Sequence, residues 1–98
     1  SKVRPYHVAL EDMYVREHWV RIDALCKLNR IPFDATGEKI QRSGCWSVYE
    51  FAVQLDAIMF WDEFKGRWLV GDEFIYPDRP DSLPQMKRLE GKIWKMGR

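Results

Sequence analysis

The chain has 98 residues with 16 basic and 15 acidic side chains, a formal net charge of +1. This suits one small domain whose core buries roughly two-thirds of the unfolded chain's surface. Hydrophobic residues at 46% and charged residues at 32% exclude a disordered or fibrous chain, and the apolar runs fall far short of the roughly 20 residues that span a bilayer.

Residues 3–10 (VRPYHVAL) are β-branched and aromatic, which predicts a first strand with Pro5 at its edge or start. A helix follows. Val15, Trp19, Ile22 and Cys26, backed by His18 and Leu25, recur at three- and four-residue steps and make one apolar stripe. Asp12–Arg16, Glu17–Arg21 and Asp23–Lys27 set acid before base at four-residue spacing on the opposite face. Asp12 or Glu11 serves its start, and Pro32 stops it shortly after Asn29. Residues 33–40 predict a weak strand with a turn at Thr36-Gly37, and Ser43-Gly44 predicts a hairpin turn.

Residues 45–51 (CWSVYEF) are the strongest strand. Alternation places Cys45, Ser47, Tyr49 and Phe51 on one face and Trp46, Val48 and Glu50 on the other. A second helix is expected over 53–64, with Ala57, Phe60, Trp61 and Phe64 inward and Gly66 as its C-terminal stop. Residues 68–76 return as extended chain, divided by a turn at Gly71-Asp72, and residues 76–80 (YPDRP) form a linker. Ser82-Leu83-Pro84-Gln85 reads as a capping box with an early proline, which predicts a terminal helix bearing Met86, Leu89 and Ile93.

The order strand–helix–strand–strand–helix–strand predicts a ferredoxin-like α+β sandwich over residues 1–80, with an additional C-terminal helix over 81–98 that docks on the body or on a partner. One sheet face then lies under the helices. The other, carrying Trp46 and Val48, is solvated unless the terminal helix covers it.

Charge varies along the chain. Residues 31–83 hold five basic and ten acidic groups, whereas residues 84–98 hold five basic and one acidic. Only that basic tail, with Lys87, Arg88, Lys92 and Lys95, resembles a phosphate-binding surface. Segment 42–51 (RSGCWSVYEF) is similar to the central-strand motif of RNA-recognition domains, a basic residue followed by glycine and alternating aromatics. The resemblance implies Trp46 as the first stacking aromatic, Ser47 at the small position and Phe51 as the last aromatic, with His7 beside Trp46 as a second stacking group. Val48 departs from the motif where the second stacking aromatic belongs, and Gly44 departs from it at the basic position.

His7, His18, Cys26 and Cys45 lack metal-ligand spacing, so no metal is expected. His18 and Cys26 stand two helical turns apart, about 12 Å along the axis, too far for an activated thiol. No phosphate-cradling glycine loop or nucleophile elbow is present, so neither an enzyme nor a cofactor is expected. The opening lacks a charged segment followed by an apolar one, and two cysteines favour a reducing, cytoplasmic setting. What remains is a protein-interaction module or homodimer using the aromatic anchors Trp46, Trp68, Tyr76 and Trp94, with Val48 beside Trp46 on its face. The alternative is single-stranded nucleic-acid binding by His7, Trp46 and the basic tail.

Overall fold

Alternating side chains along residues 45–51 place one row of apolar groups under two helices and another on the far side, and the whole α+β architecture is arranged about that strand. The computed structural model describes residues 4–71, 73–75 and 81–88. In chain order these form β1 (Tyr6–Glu11), α1 (Asp12–Leu28), β2 (Asp34–Gln41), β3 (Cys45–Phe51), α2 (Gln54–Phe64), β4 (Arg67–Val70) and β5 (Glu73–Ile75). The strands make one sheet in the order β2-β3-β1-β4-β5, with every neighbouring pair antiparallel. Each strand–helix–strand unit is therefore split by a strand of the other: β3 lies between β1 and β2, and β1 lies between β3 and β4.

The turns follow local chemistry. Ser43 (φ 49°) and Gly44 (φ 126°) make the β2–β3 hairpin, closed by the Arg42 N–H donating to the Gly44 carbonyl at 2.9 Å. Gly37 (φ 80°) lies where the β2 register shifts between Ala35 and Lys39, a bulge that distorts an exposed sheet edge. At Gly71 (φ 63°) the chain divides the expected last strand into β4 and β5, giving five strands where the sequence predicts four with a possible split.

The main core lies between sheet and helices, from Val8 and Leu10 on β1, through Tyr49 and Phe51 on β3, to Ile22 and Leu25 on α1 and Phe60 and Phe64 on α2. Three details differ from expectation. Trp19 is 43% exposed because it lies three residues before Ile22, about 60° off the centre of the buried stripe. It meets Phe33 edge-on at 6.4 Å instead. Lys65, not Gly66, takes the left-handed cap of α2 (φ 52°, ψ 45°). Gly66 serves another need, since a Cβ there would lie 2.7 Å from Val8 Cγ1 and 2.9 Å from the Ala9 carbonyl oxygen.

The third difference concerns the terminal helix. Residues 83–88 carry no helical structure, so the start expected at Ser82–Gln85 is not one. Their backbone polar groups are taken by α1's end: Asn29 Nδ2 donates to the Lys87 carbonyl at 3.1 Å and the Lys87 N–H donates to Asn29 Oδ1 at 2.7 Å. Met86, 6% exposed, joins the main core beside α2, so this stretch docks on the helical layer and not on the outer sheet face. The remainder of the expected helix, with Leu89 and Ile93, lies outside the described residues, as does the 76–80 linker. Among the described residues no helix is long and apolar enough to cross a membrane.

Adjacent positions at the end of α2 should respond in opposite directions. Gly66→Ala is expected to cost about 1–3 kcal/mol through overpacking against β1. Lys65→Gly should hold or raise stability by up to about 1 kcal/mol by relieving a left-handed side-chain residue. Urea unfolding of the two variants checks both signs.

Candidate functional site

On the outer sheet face, β1 contributes His7 and Ala9, β3 contributes Trp46 and Val48, β4 contributes Arg67 and Leu69, and β5 contributes Phe74. Trp46 is only 8% exposed and Val48 2%. The Trp46 ring packs edge-on against Phe74 at 5.2 Å, the Arg67 guanidinium lies 5.1 Å over it, and its indole N–H donates to the Arg42 carbonyl at 2.9 Å. The face is thus a small second core with its indole engaged, not a bare aromatic platform.

The expected partners of Trp46 lie elsewhere. His7 pairs opposite Glu50, with Nε2 at 3.5 Å from its carboxylate. It therefore stands four β3 residues from Trp46, about 13 Å at the usual strand rise, and is no second stacking ring beside it. Trp68 is opposite Val8 in the register, so it faces the helices, 9% exposed and edge-on to Trp61 at 6.4 Å. Phe51 is likewise in the main core. Lys87 and Arg88 are on the helical layer, Arg88 Nη1 donating to Glu63 Oε2 at 2.8 Å. Tyr76, Lys92, Trp94 and Lys95 lie outside the described residues.

Two open clefts of about 520 Å³ each flank α1 on the helical layer, and the sequence reading identified neither. The first, at the C-terminal end of α1, has Cys26 at its base, walls of Ile31, Pro32 and Phe33, and Asp23 and Lys27 on its rim. Trp19 packs against its Phe33 wall. Burial, with the charges of Asp23 and Asp56, pushes the Cys26 thiol up to about 12, so the free thiol stays protonated at neutral pH. The second cleft, between α1 and the end of α2, is lined by Tyr14, His18, Arg21, Glu63, Phe64 and Lys65. The available sequence signal was Trp19, which periodicity places on the apolar stripe of α1.

Two carboxylates organise the charges. Asp12 accepts from Lys39 Nζ at 2.6 Å and Ser47 Oγ at 2.9 Å and pairs with Arg16 at 3.0 Å. The Lys39 hydrogen bond, with that of Ser47, holds its carboxyl below the ordinary aspartate value. Burial alone would raise the Glu63 carboxyl, but hydrogen bonds and charges from Arg88 and Arg21, both at 2.8 Å, outweigh it and hold the group low. Among the described residues no three His, Cys, Asp or Glu side chains converge as a metal site. Comparison with protein-family models, curated proteins and solved structures finds no match for this chain.

The two lowered carboxyls contribute to the acid limb of stability. Their contribution is complete above the unfolded carboxylate range near about pH 4 and is lost as pH falls through their lower folded values. Glu63→Gln should therefore lower the urea midpoint at neutral pH and narrow the gap between that midpoint and the one near about pH 3. An unchanged gap would mean that the Arg21–Glu63–Arg88 cluster contributes no proton-linked stability.

Proposed function

We propose that this domain is a non-enzymatic interaction module that binds a protein chain, either a partner or a second copy, through the apolar cleft beside Trp19 and Phe33. The carrying observation is Trp19 itself, a large aromatic left 43% exposed on a helix that buries Ile22, Leu25 and Cys26. Tryptophan beside a concave apolar surface is the composition of an interface anchor and its pocket, and the charged rim of Asp23 and Lys27 resembles the polar rim around such a core. A binding rather than catalytic role is supported by the Cys26 thiol, held protonated at the base of that cleft. The free thiols Cys26 and Cys45 support a reducing, cytoplasmic setting.

We further read the fold as the ferredoxin-like plan with one added edge strand. The support is the order β2-β3-β1-β4, the mutual splitting of the two strand–helix–strand units, and both helices packed on one side. Single-stranded nucleic-acid binding has less behind it, since Trp46 is covered and Lys87 and Arg88 lie on the opposite layer from it.

Trp19→Ser should weaken binding of a recovered protein partner, or self-association in sedimentation velocity, at least about tenfold while the fold is retained. Arg67→Ala, on the outer sheet face, should leave binding unchanged. The reverse pattern would move the interface to the outer face, and insensitivity to both substitutions would overturn the proposal.

A further inference from the structure

We propose that the outward face of α1 is a self-association surface, on which a second copy of this chain packs its own α1 antiparallel about a twofold axis at Val20. The inference does not rest on the partner-binding reading. It assigns the second copy to this face and leaves the cleft beside Trp19 to a different chain, on which that reading is then tested.

Helix α1 is apolar on two sides. Ile22, Leu25 and Cys26 are buried in the main core. On the opposite side Met13 is 56% exposed, Val20 45% and Leu28 40%. At 3.6 residues per turn Met13, Val20, Ala24 and Lys27 fall within about 60° of the helix circumference, with Leu28 bordering them. The backbone leaves helical geometry at His18 (φ −124°, ψ 17°). The exposed positions nevertheless keep their phase across it, Met13 and Arg16 before and Val20 and Lys27 after. A surface helix needs one apolar stripe to hold it to its own domain. A second stripe, rimmed by charges, marks a contact surface.

Charge selects the occupant and its direction. One flank of this face carries Arg16, Asp23 and Lys27. Arg16 Nε pairs with Asp12 at 3.0 Å and Lys27 Nζ with Asp23 at 2.9 Å, both cations standing mostly in water. Such exposed pairs are weak and can share a further partner. Antiparallel alignment about Val20 sets residues equally far before and after it beside one another. A twofold axis crossing the helices also keeps each flank beside the same flank of the copy.

Arg16 is four residues before Val20 and Asp23 three after, so each falls within about 1.5 Å, along the axis, of the other on the second copy. Met13 comes beside Leu28 of the second copy with the same offset. Glu17, on the other flank, comes beside Ala24 of the second copy and meets no like charge. Parallel alignment would instead set Arg16 against Arg16 and Asp23 against Asp23. The charge order therefore favours one direction and opposes the other.

A single helix-on-helix contact belongs with the small interfaces, below about 1,200 Å², so the test is sedimentation equilibrium of the full chain from about 10 μM to about 1 mM. A monomer–dimer equilibrium is expected. Val20→Glu sets two carboxylates at the axis, at an exposed position where glutamate favours the helix, and should weaken the dimer at least about tenfold. Arg16→Glu and Asp23→Arg should each weaken it at least about fivefold alone. An equimolar mixture of those two variants should recover it, because each altered charge then faces its opposite. Far-UV circular dichroism checks that every variant keeps the fold. A monomer at all concentrations, a dimer retained in Val20→Glu, or no recovery in the mixture would overturn the proposal. Loss of the dimer in Trp19→Ser with Val20→Glu unaffected would also overturn it, moving the second copy to the cleft and leaving the cleft reading standing.

Discussion

Phe60 is the side chain on which the helical layer closes against the sheet. Its ring lies 4.8 Å from Phe51 and 5.5 Å from Tyr49 on β3, 5.7 Å from Phe33 in the α1–β2 connection and 5.0 Å from Phe64 one turn along α2. A fully buried phenylalanine in such a cluster contributes about 3–5 kcal/mol by truncation, a large part of the 5–15 kcal/mol that typically holds a domain together. The contacts join segments from three parts of the chain, so the cluster exists only when the sheet has its order and both helices are seated. Gly66 belongs to the same constraint, because α2 can lie this close to β1 only where the chain leaving it has no Cβ.

Around that apolar centre, polar contacts fix position more than they add stability. Asp12, at the first turn of α1, reaches Lys39 on β2 and Ser47 on β3, so one carboxylate sets the start of a helix against two strands. Glu63 does the same between α1 and residues 83–88 through Arg21 and Arg88. These pairs are partly exposed and screened by solvent, which keeps their net contributions small. The directional geometry at Glu63 nevertheless holds Arg21 at the border of the second cleft.

The two faces of the domain consequently differ in what they offer a ligand. The outer sheet face satisfies its own large groups: Trp46 is packed edge-on against Phe74, capped by a guanidinium and hydrogen-bonded. The helical layer is less closed, with an open cleft on either side of α1. One flank leaves Trp19 beside an apolar hollow, and the other sets Arg21, Glu63 and Lys65 beside the rings of Tyr14 and His18.

Local patterns in the sequence determined much of this fold. Period-two alternation located β3 to the residue and divided its faces correctly, since a strand's side-chain directions follow from the backbone alone. Period-3.6 spacing located α1, and Ser43-Gly44 located the hairpin, for equally local reasons. Tertiary structure decided what depends on distant neighbours. Only the β1–β4 register could turn Trp68 to the helices, away from Trp46. Only the approach of β1 could make Gly66 a packing residue and leave the left-handed cap to Lys65. Asn29, 58 residues away in sequence, takes the Lys87 backbone groups that a terminal helix would have used. Both clefts arise from gaps between elements rather than from any one element. Periodicity records which face of a segment is apolar, but a gap is a relation between segments, set by how far apart packing holds them.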